Sequence, residues 1–407
     1  MSMMAMDAGL VGSDGPAIRD GPVDLAGIRV AMFTGNYNYL KEGANQALNK
    51  LVRHLQTRVG GEVRIYSPVT DTPAFEPEGT LVPVPSVPLP GRSEFRLALG
   101  LPAAARADVK AFAPDLVHVA TPDILSTRAQ TFAMQLGVPV VASVHTRFET
   151  YLDYYRLGML RPLVQWHLDR FYRRSDMVLV PTPSMIGEMA PKLGADRLRV
   201  WGRGVDTQLF DPSRRNREWR RAHGIGEDEV ALLFFGRIVL EKGIDCFART
   251  VNLLRGRGLP CKVVIVGEGP ARTMLSGLLP DAIFAGHLAG VELATAVASA
   301  DVLLNPSLTE TFGNVTLEAM AAGLPVVAAD APSTANLIED GVTGLIASPD
   351  AERFADCAAR VIEDTDFRWK LALAARSSAL AWKWDAVLDT VLESYRVTLE
   401  RAGRQPR

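Results

Sequence analysis

The chain has 407 residues, too many for one ordinary hydrophobic core, and suits two domains of about 150–200 residues each. Apolar residues make up 48% and charged residues 22%, as in a globular protein, and the net charge of −2 excludes the basic excess that a general nucleic-acid binder needs. The three cysteines, Cys246, Cys261 and Cys357, are unclustered and odd in number, so the expectation is a reducing compartment and no metal site.

No apolar run reaches the length of about 18 residues that a membrane helix needs. Residues 1–25 lack a basic region followed by an apolar stretch, so they read as a disordered extension and not as a secretory signal. The expected location is cytoplasmic, at most peripheral on the inner face of the membrane. Charge is uneven along the chain: residues 1–205 hold 22 basic and 19 acidic side chains, the remainder 22 and 27. That imbalance reads either as an anionic partner for the first half or as scatter in surface charge.

In chain order, a short apolar strand at 27–33 runs into a loop at 34–43. A helix follows with Ala44, Ala47, Leu48, Leu51 and Leu55 on one face. Then come a strand at 62–66, a Pro-rich loop at 82–90, a helix at 104–112, a strand at 115–119, a helix at 126–136 and a strand at 138–143. After a long helical region, a strand at 177–180 leads to a helix at 184–193. The second half restarts the alternation: strand 229–235, helix 245–255, strand 261–266, strand 301–305, helix 316–322, and strands at 325–329 and 344–346. Residues 204–222 are the linker candidate, and a final helix spans about 384–399. Strands alternating with helices predict an α/β protein of two Rossmann-like domains with parallel sheets. The expected divisions are 26–205, 206–380 and a C-terminal helix in 381–407 that crosses back to the first domain. Ligands of such sheets bind beyond the carboxyl ends of the strands, which places the site in the cleft between domains.

Three segments of the second half carry the chemistry. Between Asn305 and Pro325 a strand ends, a polar loop holds Glu310 and Gly313, and a helix begins near Asn314. The N–H groups of Phe312, Gly313 and Asn314 at that helix start can hold an anion. Glu318, one turn further on, suits a ribose diol because a carboxylate accepts from two hydroxyls. In the segment 235–245, Gly236 allows a ligand close to the backbone, and Arg237 and Lys242 share one loop. Two cations at a strand end suit a diphosphate, although ordinary loop charges would look the same. The turn around Gly267 and Glu268 can meet a base or ribose by its backbone. In the first half, His145 follows a strand and faces the proposed cleft, either as a structural or as a functional histidine.

Together these segments resemble the retaining, GT-B fold glycosyltransferases of family 4. The matching stretches are 235–245, 266–270, 300–325 with its two glutamates eight residues apart, His145 after its strand, and 202–212 at the domain junction. The resemblance implies a nucleotide-diphosphate sugar as donor, linked to UDP or GDP, with no cofactor and no metal requirement. It implies that Arg237 and Lys242 bind the diphosphate, Glu318 the ribose and Glu310 a hydroxyl of the donor sugar, with His145 near the reacting face. It also implies front-side attack, the leaving phosphate taking the acceptor's proton. The first domain would bind the acceptor and the second the nucleotide sugar. Residues 83–101 and 116–123 are similar to the branch of sulfoquinovosyldiacylglycerol synthases and related mannosyl- and glucuronosyl-lipid enzymes.

One loop departs from the family pattern. Gly43 and Ala44 can serve as its usual small pair beside the diphosphate, but Tyr37, Tyr39, Lys41 and Glu42 are bulky or charged. Tyr37, Tyr39 and Arg147 are accordingly the candidate acceptor contacts, Arg147 also being the nearest cation for an anionic sugar. In 154–174, Leu157, Met159, Leu160, Leu163, Val164, Trp166 and Phe171 interleave with five arginines. Such a segment lies on an anionic membrane surface or forms a core helix with solvated arginines. The leading expectation is transfer of a hexose or uronic acid to a lipid or lipid-linked acceptor such as diacylglycerol or ceramide. The alternatives are a soluble sugar or sugar-phosphate acceptor, or a non-catalytic sugar-nucleotide sensor.

Overall fold

Short runs of β-branched and other apolar residues, buried on both faces, build the protein around two parallel sheets. The computed structural model describes residues 24–40, 42–89, 92–146 and 158–404. In the first half the strands are β1 (Arg29–Phe33), β2 (Glu62–Ser67), β3 (Thr80–Pro83), β4 (Ser86–Leu89), β5 (Arg92–Ala98), β6 (Leu116–Val119), β7 (Val140–Ser143), β8 (Met177–Val180) and β9 (Leu198–Val200). In the second they are β10 (Val230–Phe235), β11 (Cys261–Val266), β12 (Ile283–Gly286), β13 (Val302–Asn305), β14 (Val326–Ala329) and β15 (Leu345–Ala347). The first sheet runs β3-β2-β1-β6-β7-β8-β9 and the second β12-β11-β10-β13-β14-β15. Every pairing in both is parallel. Strand order reverses beside β1 in one sheet and beside β10 in the other. At such a switch point the loops diverge and leave a crevice beyond the strand ends.

Each sheet has an apolar layer on both faces. The chain passes between domains twice. The first crossing follows β9, through Trp201 to Val205, and the second lies at the start of the final helix, Trp384–Arg401. The crossings touch: the Val205 N–H donates to the Trp382 carbonyl at 2.9 Å. A Cβ on Gly204 would come within 2.6 Å of the Trp384 backbone, so only glycine fits there. Leu388, Val391, Leu392, Tyr395 and Leu399 of the final helix enter the core of the first domain beside Val30, Leu51 and Trp201.

The structure adds to the sequence reading the edge strand β12 and the helices Arg272–Leu278, Gly290–Ser299, Ala351–Glu363 and Thr365–Ala379, and departs from it at two further segments. Of the Pro-rich segment 82–90, residues 82–89 complete β3 and form the first strand of an antiparallel pair, β4–β5. Pro83 sits on an edge strand and Pro88 in a two-stranded ribbon, where a missing N–H costs no ladder bond to a second neighbour. The linker candidate 204–222 contains the helix Arg217–Ala222, which is part of the second domain. Buried Arg220 there pairs with Asp301 at 2.9 Å and donates to the carbonyls of Ser299, Gly226 and Glu229. Residues 1–23, Lys41, Arg147, the stretch 154–157 and residues 405–407 lie outside the described residues.

Candidate active site

The loops after β1 and β10, at the two switch points, face each other. After β1, residues 34–42 lead into the helix Gly43–Val59, whose N-cap Glu42 makes no side-chain cap bond. Across the cleft, the helix Asn314–Ala321 begins after Gly313, which has φ 103° and likewise supplies no side-chain cap. The two helix starts nearly touch: a Cβ on Gly43 would lie 2.4 Å from Asn314 Nδ2. The first N–H groups of a helix have no partner within it and carry the positive end of its dipole. Two such ends aimed at one place form an anion site from backbone alone.

The loop from Gly236 to Gly243 is held by close backbone packing. A Cβ on Gly267 would fall 1.9 Å from the Gly236 carbonyl oxygen, and one on Gly269 2.2 Å from that of Ile238. The 267–269 turn is thus a support for the Arg237 loop; the Ile238 N–H also donates to the Glu268 carbonyl at 3.0 Å. The Glu268 side chain points to solvent and pairs with Arg272 at 3.4 Å. Gly236 itself, at φ 133°, has only Val315 near its open side.

The Arg237 guanidinium reaches across the cleft to Glu94 at 3.2 Å and Glu42 at 3.9 Å, and lies over the Phe95 ring. Lys242 Nζ lies 2.5 Å from Glu310 Oε1. The Glu241 carbonyl accepts from Thr309 Oγ1 at 3.0 Å, which ties the two loops together. Glu318 is half-buried, and its carboxyl has no hydrogen-bonding or ionic partner among the described residues. Burial pushes its carboxyl up to about 8.

His145 follows β7, and its two ring nitrogens and its carbonyl are all engaged. Nδ1 is 2.8 Å from Arg203, Nε2 is 2.9 Å from Ser143 Oγ, and its carbonyl accepts from Thr311 Oγ1 of the second domain at 3.0 Å. Burial, then the charges of Arg203 and His118, hold its pKa well below the usual histidine value. Phe312 is buried and stacks edge-on against Trp382 with ring centroids 5.4 Å apart, which leaves only its backbone for a ligand.

The structure therefore brings Gly43, Arg237, Lys242, Glu310, Gly313, Asn314 and Glu318 to one cleft, with His145 at its wall. Tyr37 and Tyr39 are corrected from acceptor contacts to braces. Tyr37 is fully buried and donates to the Glu78 carbonyl; Tyr39 donates to Gly35 O and accepts from Arg96 N–H. Their aromatic bulk fills core space under the loop where the sequence suggested exposure. Glu94 and Arg203 were missed. The period-two alternation of β5 was the signal for Glu94; for Arg203 none existed beyond its place in the 202–212 stretch. Among the described residues no group of three or more His, Cys, Asp or Glu is placed to hold a metal ion.

Two facing Rossmann-like domains with a cationic, backbone-lined cleft define a GT-B glycosyltransferase. The family model described as Glycosyltransferase Family 4 matches residues 42–209, and that described as Glycosyl transferases group 1 matches 229–364. A GDP-mannose-dependent alpha-mannosyltransferase of Mycobacterium tuberculosis is 34% identical over 399 residues, covering 94% of this chain and 100% of that protein. Sulfoquinovosyl transferase SQD2 of Arabidopsis thaliana is 32% identical over 379 residues, 89% of this chain and 72% of that protein. Sucrose-phosphate synthase from Thermosynechococcus elongatus shares the fold with a TM-score of 0.73 at 19% identity, over 92% of this chain and 100% of that one. The chain belongs to glycosyltransferase family 4.

The Glu318 shift has a measurable consequence. A carboxyl with a raised folded pKa binds more protons folded than unfolded, so its contribution to stability is present at low pH. That contribution is lost as pH rises from the unfolded value through about 8. The melting temperature of Glu318→Gln relative to the parent is expected to rise steadily between pH 5 and pH 8.5. A difference that stays flat over that range contradicts a raised Glu318 carboxyl.

Proposed function

We propose that the protein transfers a hexose or uronic acid, with retention, from a UDP- or GDP-linked sugar to a lipid or lipid-linked acceptor. The observation that carries the donor half is the meeting of the Gly43 and Asn314 helix starts beside Arg237 and Lys242. A diphosphate fits that combination, since it can take the N–H groups at both ends and draw both cations from their carboxylate partners. Glu318 then takes the ribose diol, and Glu310 a sugar hydroxyl.

In this reading the acceptor oxygen attacks the anomeric carbon on the face the phosphate leaves. As the new C–O bond forms, the bond to the phosphate oxygen breaks, and that oxygen collects the acceptor's proton. Arg237, Lys242 and the helix ends stabilise the charge developing on the diphosphate, which is the largest protein contribution to such a step. His145 has both ring nitrogens engaged and needs to move no proton.

The lipid half rests on the relatives and on one surface. Besides SQD2, an alpha-monoglucosyldiacylglycerol synthase of Streptococcus pneumoniae is 27% identical over 332 residues. At the start of the helix Arg161–Arg173, Met159, Leu163 and Trp166 are 96%, 62% and 60% exposed, with Arg161, Arg170 and Arg173 alongside. An apolar patch rimmed by arginines suits the surface of an anionic bilayer. No described helix is long and apolar enough to cross a membrane, so the association proposed is peripheral.

Two measurements test the parts separately. Lys242→Ala is expected to lower turnover by roughly 10²-fold or more, the scale of removing one preorganised charge; near-normal turnover removes Lys242 from the mechanism. The protein is expected to sediment with phosphatidylglycerol vesicles in a salt-sensitive way and less well after Leu163→Ser plus Trp166→Ser. Absence of salt-sensitive sedimentation contradicts the membrane reading and leaves the soluble acceptor.

A further inference from the structure

His145 belongs to a chain of hydrogen bonds that runs from Arg203 away from the cleft to the C-terminal helix. Arg203 is 2.8 Å from His145 Nδ1, and His145 Nε2 is 2.9 Å from Ser143 Oγ. Ser143 Oγ is 2.8 Å from His118 Nε2, and His118 Nδ1 is 2.5 Å from the Tyr395 hydroxyl. Arg203, His118 and Ser143 are buried, and Tyr395 is fully so. Trp201 lies at the centre, edge-on to both imidazoles at 5.1 and 5.8 Å, with the Arg203 guanidinium over its ring.

The direction of the bonds at His145 follows from one fact. A guanidinium only donates, so Nδ1 of His145 must be the bare, accepting nitrogen. The neutral ring then carries its proton on Nε2 and donates to Ser143. The Ser143 hydroxyl, accepting there, also meets Nε2 of His118, and the Tyr395 hydroxyl meets His118 Nδ1. The Arg203 end thus fixes the His145 tautomer, while His118 and Tyr395 close the chain behind Ser143.

The ends of the chain sit on the two crossings between domains. Arg203 belongs to the first crossing and is further fixed by donating to the Trp201 and Gly202 carbonyls. Tyr395 belongs to the helix that begins at the second. The His145 carbonyl, bonded to Thr311, touches the opposite domain one residue from Glu310.

We propose that Arg203, Ser143, His118 and Tyr395 are positioning residues that hold His145 in one orientation as the neutral Nε2–H tautomer, tying the cleft wall to the interdomain hinge. His145 then meets a bound sugar as a fixed neutral group that neither gives nor takes a proton. The charged or titratable groups facing it among the described residues are Arg203 and His118, and both oppose its protonation. The effect on turnover rests on the transferase reading above; the tautomer does not.

The test is nitrogen NMR on protein labelled at its six histidines, together with kinetics. In the parent, His145 is expected as Nε2–H, unchanged between pH 6 and 8. Ser143→Ala, which removes the acceptor of Nε2–H, should move the His145 nitrogen shifts while Arg203 still holds the tautomer. It should lower kcat on the order of ten- to a hundredfold, the cost of a misplaced site group, with donor KM little changed. Ser143→Thr, which keeps the hydroxyl, should restore both readings. Tyr395→Phe, at the far end, should move the His118 nitrogen shifts and lower kcat in the same direction even if Ser143→Ala fails to fold. His145 found as Nδ1–H, His118 shifts and kcat unmoved by Tyr395→Phe, or kcat unchanged in a folded Ser143→Ala would overturn the proposal. The expected His145 tautomer in a parent that transfers no sugar would leave the positioning chain standing and count against the proposed function instead.

Discussion

The site depends on two helix starts meeting across the cleft with only the Asn314 side chain between them. Gly43 opens the first helix of one domain, and its missing Cβ is what lets Asn314, opening a helix of the other, come so near. Neither helix caps itself with a side chain, so both present their free N–H groups to the same volume. Parallel sheets deliver these helices because each follows a strand at or beside the point where strand order reverses. The cations join afterwards, Arg237 from the loop after β10 and Lys242 one turn later.

Opposing charge is held ready on both sides of that volume. Glu42 and Glu94 of the first domain occupy Arg237, and Glu310 occupies Lys242. In the proposed reading, a diphosphate that takes the cations would release those carboxylates, and Glu42 and Glu94 lie on the domain opposite Arg237. Donor binding would then be coupled to the relative setting of the domains through exposed pairs, whose strength is modest and screened by salt. The His145 chain is anchored at the double crossing beside Gly204 and Trp384.

Much of this was legible in the sequence, for reasons tied to individual residues. The strands at 230–235 and 261–266 are apolar on both faces, so their type and position followed from composition alone. Glu310 and Glu318 bracket a loop-to-helix junction, and that local geometry survives folding. What escaped were features made by distant partners. Arg203 meets His145 across 58 residues, and His118 meets Tyr395 across 277. Tyr37 and Tyr39 looked like ligand contacts because nothing local says that Glu78 and Arg96 will satisfy their hydroxyls. The hairpin that supplies Glu94 was hidden by its prolines, which edge positions tolerate.

The most direct test of the central claim is the nucleotide affinity of Gly43→Ala, measured by calorimetry with UDP and GDP against the parent. A methyl group there intrudes between the helix ends. The account predicts at least about a tenfold loss of affinity, or about 1.4 kcal/mol, with the melting temperature of the free protein nearly unchanged. Affinity equal to that of the parent in a folded Gly43→Ala would contradict a diphosphate held between the two helix starts.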